Sequence, residues 1–177
     1  MATRIHNAGF TLLELMITLA VAGVLAALAV PAMRTWLQNQ RLVTAASSMV
    51  LSLNYARNEA VKRDSALGVT VCASADQATC GTANWNLGWI VLDVASNTRL
   101  NASPPIGANM TFTEAGGQAQ VTFLPTGATA GAATFAFKAC DTRGAAYARE
   151  LEVNSMGRIA TSPTPGQTVA GLGLACP

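Results

Sequence analysis

Residues 10–30 read FTLLELMITLAVAGVLAALAV, an apolar run carrying one charge, Glu14. A hydrocarbon core of ~30 Å needs about 20 apolar residues in helical form, so the run is long enough to cross a bilayer. Lipid offers the backbone no hydrogen-bond partners, which selects a helix. Residues 1–9 ahead of it are polar and carry Arg4. That positive flank stays on the cytosolic side and sends the C-terminal bulk outward. A cleaved secretory signal fits poorly: the run exceeds the usual apolar region of about 7–15 residues, and no small-x-small cleavage site follows a charged leader. A plain anchor explains the hydrophobicity and leaves Glu14 unexplained. An acidic residue in a spanning helix costs up to ~2.5–3.5 kcal/mol at the centre, less near an end, and such a residue usually has a partner.

Cleavage between Gly9 and Phe10 would supply one. Glu14 would then stand one helical turn from a new cationic terminus, on the same face. A carboxylate there also suits the positive end of the helix dipole. In a helical filament it could instead neutralise the terminal amine of a neighbouring subunit and so fix register between copies. The stretch Gly9-Phe10-Thr11-Leu12-Leu13-Glu14-Leu15 resembles the class III signal of type IV prepilins and type II secretion pseudopilins. The resemblance implies that prepilin peptidase cuts after Gly9 and methylates the amine of Phe10, with Glu14 as the assembly residue. Pro31 ends the apolar run, removes a backbone donor and crowds the Ala27 carbonyl, so a kink or break is expected there. In resembling pilins the segment between a glycine such as Gly23 and such a proline loosens in the filament. The plainer reading is that the proline marks the membrane exit.

Beyond the run, residues 34–63 contain no Gly or Pro and continue as helix. Leu42, Ala46, Met49, Leu53, Ala56 and Ala60 form an amphipathic stripe that covers a sheet. Arg57, Lys62 and Arg63 near the helix end read as a solvated face assisted by the dipole, or as a nucleic-acid contact. After Asp64 the chain turns to short β-rich runs separated by Gly, Asn, Pro and Ser. Strands are predicted at 67–73, 88–94, 110–114, 120–124, 134–139, 148–154 and 158–161. The last two form a hairpin through Asn154-Ser155-Met156-Gly157. Residues 127–134 and 162–173 are loops. The expected class is α+β: a long N-terminal transmembrane helix packed on an antiparallel β-sheet domain. The divisions are a leader at 1–9, the membrane half of the helix at 10–33 and a globular domain at 34–177.

A narrower resemblance follows. Leu53-Asn54-Tyr55-Ala56-Arg57-Asn58-Glu59-Ala60-Val61-Lys62-Arg63, Val71-Cys72-Ala73-Ser74, Trp85 with Gly88-Trp89-Ile90-Val91, and Ser155-Met156-Gly157-Arg158-Ile159 resemble the GspH/FimT family of minor pilins and minor pseudopilins. The cysteine-bearing block resembles the type IV pilus branch, the FimT/FimU-like members. The resemblance implies a low-abundance subunit that helps start or cap a filament. Its implied partners are other major and minor pilins, prepilin peptidase, an inner-membrane assembly platform and membrane lipid. Its implied place is the bacterial inner membrane, single-pass with a periplasmic domain, and then the filament. The alternatives are a pseudopilin for protein secretion and a receptor for double-stranded DNA. The relevant motif of DNA-binding relatives is Gly-Arg-x-Arg, whereas this chain has Gly157-Arg158-Ile159-Ala160. Lys138, Arg143 and Arg149 could add phosphate contacts beside Arg158 if the fold gathers them. A shift of hairpin register would instead set Arg158 opposite Glu152 and partly neutralise it.

Bulk properties agree with a membrane-borne chain. Of 177 residues, 51% are hydrophobic and 11% charged, with mean hydropathy +0.34, too apolar for an ordinary cytosolic enzyme. The net charge of +2, less the one charge of Arg4, leaves +1, which makes no global case for nucleic acid. His6, the only histidine, would leave with the leader, so no Ser-His-Asp or Cys-His arrangement survives. No phosphate-cradling loop, CxxC pair, metal set or cofactor motif is present, and no catalysis is expected. Glu150 and Glu152 share a strand face read as solvated; Trp85 and Trp89 read as core or sheet-edge packing. Four cysteines allow three pairings. Cys72–Cys80 with Cys140–Cys176 is preferred, since each bond then closes a loop lacking other anchors, contributing ~2–3 and ~3–4 kcal/mol. Free thiols and a zinc site are the alternatives.

Overall fold

The computed structural model describes residues 10–64 and 66–176. The leader 1–9, with Gly9 and His6, lies outside the described residues. The chain divides into two compact units, 1–39 and 40–177.

In the first unit the chain is helical from the start of α1, which spans Leu12–Arg63. Thr11 stands just before it and its Oγ1 accepts the Glu14 backbone N–H at 3.2 Å, so it caps a donor the helix cannot satisfy itself. The apolar run is exposed throughout, with a window of mean hydropathy 2.4, long and apolar enough to cross a membrane. The expected break at Pro31 is not seen: helix continues through it. Proline costs one hydrogen bond and a local clash, about 3 kcal/mol, against flanks rich in Leu and Ala that propagate helix on both sides.

In the second unit the six residues of the stripe are all buried, joined by Ala45, Ser52 and Glu59. The helix ends at Arg63, and Asp64 takes a positive φ of 48°, a left-handed conformation that aspartate tolerates. Among the described residues eight strands follow: β1 Val69–Ala73, β2 Trp89–Asp93, β3 Thr98–Ser103, β4 Met110–Glu114, β5 Gln120–Phe123, β6 Phe135–Asp141, β7 Arg149–Val153 and β8 Ile159–Thr161. They form two antiparallel sheets, ordered β3-β2-β1-β5 and β4-β6-β7-β8, where the sequence suggests one. Alternation sends Val69, Val71, Val121 and Phe123 of the first sheet, and Phe135, Phe137, Leu151 and Val153 of the second, into one core with the helix stripe. Trp89 stacks on Phe112, with ring centroids 5.8 Å apart, and so joins the two sheets. Trp89 also donates its Nε1–H to Ser52 Oγ on the helix at 2.9 Å. Both Trp85 and Trp89 are core residues.

β3 is absent from the sequence-based set. Among the described residues it pairs only with β2, and its own residues are exposed or half-buried, so it shows no apolar alternation to read.

Candidate functional site

At the start of α1, Phe10 is 79% exposed and Leu12, Leu13 and Leu15 are exposed around Glu14. Among the described residues Glu14 makes no ion pair. Thr11 and Glu14 stand in the T-x-x-E spacing of a capping box, a signal the sequence reading passed over. The carboxylate therefore sits in the first turn, where the dipole favours a negative charge. What this arrangement can do is accept a cation, in a surface otherwise suited to lipid or to other helices.

The structure does not gather the basic candidates. Arg143 donates to Asp141 Oδ2 from Nε at 2.9 Å and from a terminal nitrogen at 2.5 Å, and its guanidinium lies 4.2 Å from the Tyr147 ring centre. It is committed within the domain. Lys138 faces Glu150 across β6 and β7, on the face opposite Phe137. Arg149 stands opposite Ala139 at the other face's parity, at the end of β7 away from the hairpin. Arg158 is exposed in that hairpin, its N–H donating to Asn154 Oδ1 at 2.9 Å. The hairpin register places Ala160, not Arg158, opposite Glu152.

Gly157 of the same motif is structural. Its φ is 73°, and a Cβ there would overlap the Gly127 carbonyl oxygen, which also accepts Arg57 Nε–H at 3.0 Å. Arg57 thus anchors the loop rather than a ligand. Arg63 and Lys62 both reach Glu59, at 2.6 and 3.6 Å, and Arg63 lies 3.6 Å from Asp93. The hydrogen bond from Arg63 is the main cause holding the Glu59 carboxyl below its usual range, and Glu59 in turn raises Arg63.

Two disulfides brace the domain. Cys72–Cys80, with Cα atoms 5.4 Å apart, ties down a loop organised by Asp76. Asp76 Oδ1 accepts the Ala78 and Thr79 N–H groups and the Ser74 hydroxyl, each at 2.9 Å, and Oδ2 accepts the Thr79 hydroxyl at 2.8 Å. These bonds, the Thr79 N–H foremost, hold its carboxyl far below the usual range. Cys140–Cys176, Cα atoms 6.0 Å apart, fastens the C-terminal tail. Leu174 packs with Cys140 and Ala148 in a small second core. The Val169 N–H donates to Glu150 Oε2 at 2.8 Å, and Glu150 is buried. The expectation of a solvated face is corrected there: the tail bonds to that carboxylate, and only Glu152 stays half-exposed.

Among known proteins, residues 45–157 match the family described as Type II transport protein GspH, and residues 4–30 match the prokaryotic N-terminal methylation motif. No curated protein matches the chain by sequence. Two crystal structures of the Pseudomonas aeruginosa (strain PAO1) type IV minor pilin FimU are similar. One is 25% identical with a TM-score of 0.58, covering 72% of this chain and 92% of that one. The other is 26% identical with a TM-score of 0.56, covering 69% and 93%. The family and fold are those of structural pilin subunits. The chain belongs to the GspH family and is a GspH/FimT-like type IV minor pilin in sequence and fold.

Proposed function

We propose that this pilin takes part in pilus assembly and its initiation as a structural subunit of the filament or its tip. The observation that carries the reading is Glu14, a carboxylate without an ion-pair partner among the described residues, in the first turn of a helix whose apolar run is exposed throughout. Processing after Gly9 places the methylated amine of Phe10 one turn away, and the incoming or outgoing terminus of a neighbouring pilin can share the same carboxylate. Before assembly the helix 10–33 anchors the subunit in the inner membrane with its domain in the periplasm. Its partners are then other pilins, prepilin peptidase and the assembly platform.

Deleting the gene and restoring it, while counting filaments and blotting the sheared filament fraction for this chain, tests the reading. Filament loss on deletion, with low-level incorporation on restoration, is expected. Unaltered filaments that never contain the chain would contradict it. The description of the matched family as a type II transport protein favours one second reading, a minor pseudopilin. Loss of protein secretion with filaments intact would assign that role instead.

A further inference from the structure

We infer that the cleft between β5 and the start of β6 is a docking groove for an extended segment of a different, neighbouring filament subunit that carries a lysine or arginine. This rests on the assembly reading and names its partner's chemistry. β5 pairs with β1 on one edge. The Ala73 N–H donates to the Ala119 carbonyl at 3.0 Å, so antiparallel alternation turns the backbones of Val121 and Phe123 toward β1 and those of Gln120 and Thr122 away. The far end of that outer edge is used by Leu124, whose N–H meets the Ala128 carbonyl, and by the Phe123–Thr129 bridge. At Gln120 no strand pairs with it among the described residues. Such an open edge is a ready acceptor for an added strand.

The cleft beside that edge has a volume of about 580 Å³, and its lining includes Gln120, Thr122, Phe135, Ala136, Glu114 and Glu152. Among the described residues its lining has two carboxylates and no cation. Glu114 is only 8% exposed; its Oε2 accepts the Gln118 N–H at 2.7 Å, while Oε1 has only the Ala136 N–H at a marginal 3.5 Å. Glu152 lies between Ala136 and Ala160 on its two neighbouring strands. Neither makes an ion pair among the described residues. A carboxylate kept this far from water without a countercharge is costly, and a cation brought by a partner offsets that cost. Phe135 and the alanines can take the aliphatic stem of a lysine or arginine while its head reaches a carboxylate of the lining. A bare metal ion would leave the outward N–H of Gln120 without an acceptor. A peptide strand brings both the carbonyls and the cation.

The test places a photo-cross-linking residue at Gln120 in the full-length chain in its native cells, with Thr98 on the opposite edge of the same sheet as control. Incorporation into sheared filaments is measured in parallel. The expected result is an adduct from position 120, and not from 98, to a peptide of another pilin subunit containing Lys or Arg. Charge reversal by Glu152→Lys should reduce that adduct about tenfold. Glu114→Gln should do the same; Glu152→Lys, on a half-exposed site, keeps the test valid if Glu114→Gln misfolds. A chain present in filaments that gives no adduct above control, adducts indifferent to Glu152→Lys, or adducts only to a second copy of itself would overturn the inference while leaving the assembly reading standing. A chain absent from filaments would overturn the assembly reading, and the inference with it.

Discussion

Glu14 donates its backbone N–H to the side-chain oxygen of Thr11, 3.2 Å away, so the one charge of the apolar run is fixed in the first turn of the helix. Two substitutions separate the roles of this pair. Glu14→Ala should leave processing intact and prevent incorporation into filaments, read by blotting the sheared fraction. Thr11→Ala should cost about 1 kcal/mol of helix stability and still allow incorporation. Normal assembly of the Glu14→Ala protein would show that the charge has no part in it.

The tail is held by Cys140–Cys176 and by the buried carboxylate of Glu150. Replacing both cysteines by serine should cost ~3–4 kcal/mol and open 162–176 to proteolysis while the rest of the domain resists. The Cys72–Cys80 pair, closing a shorter loop, should cost ~2–3 kcal/mol when removed. Limited proteolysis followed by mass spectrometry distinguishes the two.

Adjacent residues of the turn should behave differently. Gly157→Ala forces a side chain against the Gly127 carbonyl at positive φ and should destabilise the domain by about 2 kcal/mol or more, seen as a lowered Tm. Arg158→Ala, at an exposed position, should leave Tm unchanged. Because Arg143 is committed and Lys138 and Arg149 point to opposite faces, the protein should show no steep salt-dependent affinity for duplex DNA, with or without Arg158. A gel shift across a salt series checks this.

Stability should also depend on pH in a defined direction. Glu59, held down chiefly by Arg63, and Asp76, held down by the Thr79 and Ala78 N–H groups, both bind protons less tightly folded than unfolded. Their stabilisation is present above the ordinary values of 4.5 and 3.8 and is lost as the pH falls through the lower folded values. Tm should therefore be level from neutral pH to about 5 and decline below that. Glu59→Gln should destabilise the domain by about 1 kcal/mol at neutral pH, seen as a lowered Tm, and flatten the acid decline.

The helix stripe was legible in the sequence because its period is local: Leu42, Ala46, Met49, Leu53, Ala56 and Ala60 are spaced by one turn, and all are buried. The hairpin at Asn154–Gly157 was legible for the same reason, since turn chemistry is written in adjacent residues. β3 was not, because a polar edge strand exposes both faces. Glu150 was misread because the segment that buries it arrives through Val169, a contact set by the tail rather than by neighbours on the strand. The cleft at Gln120 follows from strand order, which places β5 beside β1 and leaves its other edge open at Gln120; no local pattern encodes that. Pro31 carried a local rule that its helical flanks outweighed.

The pairing of Glu14 with a terminal amine requires that amine to be at Phe10. The intact mass of the chain purified from filaments or membranes tests this most directly. The account predicts loss of residues 1–9, addition of one methyl group at Phe10 and the mass of two closed disulfides. A native protein that retains residues 1–9 would contradict it.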